Sequence, residues 1–218
     1  MSQEHIPDMA AMYTQEFWDA RYRSADMVWS GNPNLRLAEQ VADLVPGTAL
    51  DVGSGEGADA IWLASRGWRV TGIDVSTVAL DRAAGRAASA GAEVADRITW
   101  QQADILSWDP APLQFDLVSA QFMHLPRLWL ESLHRRLAAA VRPGGMLLIV
   151  GHHPSDLHTS AGRPDHPDLF FTAEQVAATL APDDWRVILA AAPERQAPDP
   201  DGRPVTIRDA VLHAIRRR

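Results

Sequence analysis

Between Asp51 and Ala58 the chain reads Asp51-Val52-Gly53-Ser54-Gly55-Glu56-Gly57-Ala58, with glycine at every second position. Glycines so spaced let the backbone approach a ligand closely and turn at once into a helix N-terminus. Gly53, Gly55 and Ala58 also satisfy the looser dinucleotide fingerprint, so the loop alone fits more than one nucleoside ligand. Its acids bear on the choice. A pyrophosphate over this loop would meet Asp51 and Glu56, and each like-charge approach to about 4 Å costs roughly 4 kcal/mol at an effective dielectric of about 20. A nucleoside that carries positive charge reverses that sign.

A second group of chemical residues is the histidines. His124 lies in Gln121-Phe122-Met123-His124-Leu125-Pro126, and His152 and His153 lie in Gly151-His152-His153-Pro154. Imidazole titrates near neutrality, so each of the three is a candidate base, or else a residue that shapes a loop. His158 and His166, among Asp156, Asp165 and Asp168, follow no metal-ligand spacing, and no metal is expected. The chain has no cysteine, which removes disulfides, thiol nucleophiles and Cys-based metal centres. It has no lysine either, which excludes a P-loop and a Schiff base.

These residues need a scaffold, and 218 residues with 46% hydrophobic and 22% charged side chains provide one globular domain. The net charge of -8 argues against a nucleic-acid partner. No apolar run reaches a membrane-spanning length, and Met1 to His5 show no leader pattern, so a cytoplasmic protein is expected. The oligomeric state is not readable.

Helix and strand patterns alternate. Strands are expected at Thr48–Val52, Arg69–Asp74, Ile98–Ala103, Phe115–Phe122 and Met146–Val150, the last wholly apolar and so buried on both faces. Helices are expected at 35–45, 58–66, from the Ser76 cap to Gly91, at 127–141 (closed by Arg142-Pro143-Gly144-Gly145), and from Thr172, where Gln175 completes a capping box. Trp185–Ala192 and Val205–Ile215 close the chain as two strands around a turn at Asp199-Pro200-Asp201-Gly202. The result is a doubly wound α/β fold: a seven-stranded, mostly parallel sheet with one antiparallel strand and helices on both faces. Ligands of such sheets bind beyond the carboxyl ends of the strands.

S-adenosylmethionine is a nucleoside of the required charge, with an ammonium and a sulfonium. The ordered set Asp51-x-Gly53-x-Gly55-x-Gly57, Gly72-Ile73-Asp74-Val75-Ser76, Ala103-Asp104-Ile105 and Arg142-Pro143-Gly144-Gly145 resembles the class I S-adenosylmethionine-dependent methyltransferases over residues 35–217. The resemblance implies that Gly53, Ser54 and Gly55 line the methionine part and that Asp51 holds its ammonium. It implies that Asp74, with Val75 beside it, accepts the ribose hydroxyls, that Asp104 and Ile105 receive the adenine, and that Ser119 offers its carbonyl near the amino group. Phe17-Trp18-Asp19, Tyr22 and Trp29 resemble the opening of the thiopurine and tellurite-type members, which implies that residues 1–34 form a helix and loop lid, with Trp29 against the cofactor, over a catalytic domain at 35–218. The expected activity is methyl transfer to a small-molecule S, O or N nucleophile. An NAD-dependent oxidoreductase using the same loop, and a non-catalytic cofactor-binding scaffold, remain the alternatives.

Overall fold

The computed structural model describes residues 11–164 and 166–217. The expectations on Met1 to His5, on the first ten residues of the 1–34 segment and on Asp165 lie outside them. Five strands, β1 (Thr48–Val52), β2 (Arg69–Asp74), β3 (Ile98–Gln102), β4 (Phe115–Gln121) and β5 (Val141–His152), pair in parallel in the order β3-β2-β1-β4-β5. β8 (Pro204–Arg216) runs antiparallel beside β5, and β6 (Trp185–Ala191) pairs antiparallel with β8 at the edge. The helices are α1 (Gln15–Arg23), α2 (Leu35–Val41), α3 (Ala58–Ser65), α4 (Thr77–Ala90), α5 (Ala92–Ala95), α6 (Arg127–Ala140) and α7 (Ala173–Ala177).

Alternation along the strands builds two cores. In β5, Leu147 and Ile149 face a cluster with Leu133 and Leu137 of α6 and Val176 of α7, while Met146, Leu148 and Val150 face Leu37 of α2 and Leu63 of α3. Every residue from Met146 to Val150 is therefore apolar because both faces of a central strand are covered. Ser76 caps α4 through its side chain, and Thr172 and Gln175 form the expected capping box of α7.

The sheet differs from the expectation in two places. β5 begins at Val141 rather than Met146, because residues 141 to 145 stay alongside β4 through a register break between Phe115 and Leu117. An eighth strand, β7 (Glu194–Pro198), pairs only with the first half of β8, and the Asp199–Gly202 turn closes this hairpin. The hairpin matters for function: it extends from the carboxyl end of β5, where His152 stands opposite Asp209. Among the described residues no helix is long and apolar enough to cross a membrane.

Candidate active site

A cavity of about 690 Å³ opens over the carboxyl ends of β1, β2, β4 and β5. Its first wall is the glycine loop. Gly53 and Ser54 both donate to the carbonyl of Ile73, and Gly53, Gly55 and Gly57 take φ of 71°, 52° and 83°. That left-handed backbone strains an L side chain, and a Cβ on Gly55 would also stand 2.9 Å from the Tyr22 hydroxyl. Glycine here is a steric requirement.

Three carboxylates gather behind and beside the loop. Asp74 is 8% exposed; its Oδ2 accepts from the Gly55 amide and its Oδ1 from the Ser76 amide, both at 2.9 Å. Asp59, at the start of α3, accepts from the Asn34 amide at 2.6 Å. Asp51 is buried, and its Oδ2 has no hydrogen-bond partner among the described residues. Burial raises the pKa of all three, pushing Asp59 to about 6; the nearby Asp59 and Asp74 charges add to the rise at Asp51. No ion pair among the described residues neutralises any of them. A cation at this end relieves a cost that the fold otherwise carries. The residues therefore fit the ammonium and sulfonium of S-adenosylmethionine, with the buried Ser54 hydroxyl as a further unpartnered polar group at the loop.

Glu56 does something other than its loop position suggested. It is 3% exposed, pairs with Arg82 at 3.1 Å, and accepts from the Val28 and Trp29 amides. Its charge is spent holding the N-terminal segment, so the preference for a cation rests on Asp51, Asp59 and Asp74. The Trp29 indole donates to the Tyr22 hydroxyl at 3.0 Å, and Asp19 of α1 accepts from the Ser76 hydroxyl at 2.6 Å. These contacts hold Asp19, Tyr22, Val28 and Trp29 beside the glycine loop and α4, and Tyr22 and Trp29 line the cavity.

The opposite end is aromatic and basic. Directly after β4 comes Phe122, a non-glycine residue with φ of 53°, a conformation that costs energy and recurs at functional sites. The His152 ring lies 4.7 Å from Phe122 and stacks on His124 at 4.5 Å between centroids. Burial holds both imidazoles neutral: the His124 pKa falls to about 4, and that of His152 falls further because His124, Arg163 and Arg195 add to burial. Asp209, 1% exposed, accepts from Arg36 of α2 and from Arg195 of β7, each at 3.0 Å.

Of the residues expected in the site, Trp29, Gly53, Ser54, Gly55, Asp74, Val75, Asp104, Ile105, His124 and His152 line this cavity. Three do not. Asp51 stands behind the loop. Ser119 is wholly buried inside β4 and hydrogen-bonded to Gln121, because the strand runs two residues further; Gln121 and Phe122 reach the cavity instead. His153 faces away from the cavity and caps the turn Pro154–His158, where its Nδ1 accepts from the Ser155 amide. Asp59, Arg163, Arg195 and Asp209 also line the site, although the sequence pattern did not single them out. Asp59 was the most accessible of these, as an acid in the first turn after the glycine loop.

Residues 49–145 match the model of a methyltransferase domain. Over that stretch the chain is similar to a methyltransferase domain. It is 36% identical over 121 residues to "Methyltransferase GfsG" of Streptomyces halstedii, covering 52% of this chain and 42% of that protein. It is 30% identical over 149 residues to "2-heptyl-1-hydroxyquinolin-4(1H)-one methyltransferase" of Mycobacteroides abscessus, covering 62% of this chain and 63% of that protein. The chain thus spans less than two thirds of the length of either relative. The solved structure reported as "Conversion of a Disulfide Bond into a Thioacetal Group during Echinomycin Biosynthesis" shares the fold, with a TM-score of 0.71 and 24% identity over 93% of this chain and 91% of that one.

Proposed function

We propose that this protein transfers the methyl group of S-adenosylmethionine to a small-molecule acceptor. One observation carries the reading: a single cavity joins the glycine loop, lined by Asp59 and Asp74 without cationic partners and backed by Asp51, to an aromatic and basic end beyond β4 and β5. Its volume of about 690 Å³ is that of a small-molecule site.

In this reading Gly53, Ser54 and Gly55 receive the methionine part and Asp51 and Asp59 its positive charge. Asp74 and Val75 take the ribose, and Asp104 and Ile105 the adenine. The segment up to residue 34, with Trp29 and Tyr22, acts as a cover over the domain that follows. The cofactor, when bound, supplies a methyl group on a sulfonium with a good leaving group. What remains for the chain is to align the acceptor and keep water out, and orientation of this kind lowers a barrier by roughly 7–11 kcal/mol. Phe122, His124 and His152 form the wall against which an acceptor is oriented. The relative named for 2-heptyl-1-hydroxyquinolin-4(1H)-one takes a flat bicyclic compound, and an aromatic wall suits acceptors of that shape.

The methyltransferase match disfavours the dinucleotide alternative. Calorimetric titration with S-adenosylmethionine and with NADH tests the point: heat is expected from the first and none from the second, and the reverse result overturns the reading. Transfer of a labelled methyl group to a panel of phenols, thiols and amines separates an enzyme from a cofactor-binding scaffold.

A further inference from the structure

Asp51 and Asp59 come together at the first turn of α3: the Ala60 amide faces Asp51, and the Asp59 charge acts on it. Asp59 itself accepts from the Asn34 amide at 2.6 Å. Asp51 is 2% exposed, and its Oδ2 has no hydrogen-bond partner among the described residues. The cations packed around the pair are engaged elsewhere. Arg82 of α4 is tied to Glu56 of the glycine loop, and Arg86 donates to the Gly31 carbonyl. Arg36 of α2 and Arg195 of β7 both hold Asp209 of β8, Arg36 also pairs with Glu39, and Arg163 pairs with Asp156. From β2, Asp74 adds a further negative charge, held by the Gly55 and Ser76 amides. The pair is served by backbone amides and faces acids.

Two carboxylates that share a buried place without a cation do not both keep their charge. Desolvation and mutual repulsion each favour retaining one proton. Burial accordingly pushes the Asp59 pKa to about 6 and that of Asp51 well above the ordinary carboxylate range. The proton belongs to the pair rather than to either side chain. Access distinguishes the two members: Asp59 lines the cavity, and Asp51 stands behind it. A positive charge placed in the cavity at Asp59 does for the pair what the proton does in the free protein.

We propose that Asp51 and Asp59 share one proton in the free protein and exchange it for the ammonium group of the ligand, so that cofactor binding releases a proton to solvent. This rests on the methyltransferase reading and adds to it a link between cofactor binding and pH. Charge balances at the pair: one net negative charge stands there before binding, with the proton, and afterwards, with the ammonium. No covalent bond other than the carboxyl O–H breaks. Protons compete with the ammonium for this place, so acidification weakens binding of ligands that carry the amino acid and spares those that carry the nucleoside alone.

Calorimetry on the full chain tests the proposal with S-adenosylhomocysteine, which keeps the ammonium, and with methylthioadenosine, which keeps adenine and ribose and has no amino acid. Titrations at about pH 6.5 in buffers of different ionisation enthalpy count the protons released per ligand bound. S-adenosylhomocysteine should release about half a proton or more, and methylthioadenosine close to none. Both ligands present a ribose, so the comparison cancels any proton that Asp74 exchanges. The Kd of S-adenosylhomocysteine should rise by up to about tenfold per unit as pH falls from about 6.5 to 5, while that of methylthioadenosine stays level. Asp51→Asn leaves Asp59 without a repelling neighbour and should release less than about half as much as the wild type. Binding of S-adenosylhomocysteine without proton release, equal release by the two ligands, or unchanged release in Asp51→Asn overturns the shared proton. The wild-type comparison decides the matter even if the variant does not fold. Absence of S-adenosylhomocysteine binding would count against the methyltransferase reading, whereas binding without release counts against the shared proton alone.

Discussion

Asp74 holds the glycine loop as well as lining the cavity. Its two oxygens already accept from the Gly55 and Ser76 amides, and each has a further lone pair for a ribose hydroxyl. Asp74→Ala should lower S-adenosylmethionine affinity more than tenfold by calorimetry. Asp74→Asn separates the contributions, since it keeps the shape and removes the charge; unchanged affinity in both variants would mean that the ribose lies elsewhere. Asp74 was readable from sequence because an acid ending the second strand sits at the sheet's switch point however the rest packs. Ser119 was not. Which residue of β4 reaches the cavity depends on how far that strand continues beside β5, and Gln121 still pairs with Val150. A strand's end is set by its neighbour, and so the local pattern does not say which side chain of β4 lines the cavity.

At the scale of elements, the N-terminal segment depends on a few polar ties. Glu56 links α4, through Arg82, to the amides of Val28 and Trp29, and removing one member of a pair this buried leaves the others unsatisfied. Because Arg82 is partly exposed, Glu56→Ala should cost about 1–3 kcal/mol rather than the full value for a buried pair. Limited proteolysis should then cut faster between residues 24 and 34, and cofactor affinity should fall; an unchanged cleavage rate would show that the segment is held by α1 alone. The aromatics of this segment were visible in the sequence, but the tie was not, because Glu56 looked like a ligand-facing loop acid. The β7–β8 hairpin was also missed. A turn containing Asp199-Pro200-Asp201-Gly202 was expected to join Trp185–Ala192 to Val205–Ile215, yet a strand precedes that turn, and its pairing with β8 sets Arg195 and Asp209 at the aromatic end of the cavity.

At the scale of the whole molecule, buried ionisable groups set the pH dependence of stability. His134 on α6 is 3% exposed against Phe171, and burial lowers its pKa from 6.5 to about 4, as for His124. The unfolded chain binds these protons first, so both residues make the fold lose stability as pH falls from about 6.5 toward 4. Asp59 works in the opposite direction: folded, it keeps its proton to about 6, so its contribution is lost as pH rises from about 4 to 6. His134→Leu removes one histidine contribution and should make the loss of stability on acidification smaller by up to about 3 kcal/mol, read from urea unfolding at pH 7 and pH 4.5. Identical pH slopes in the two proteins would show that His134 is protonated without cost. The sequence by itself determined the alternation of strands and helices, the glycine loop and the cofactor, because these follow from local periodicity and from short spacings within one β-α unit. Only the tertiary structure decided the aromatic and basic end of the cavity. There the groups come from 122–124, 152, 163, 195 and 209, and their charges acquire meaning through burial and pairing, which no interval along the chain records.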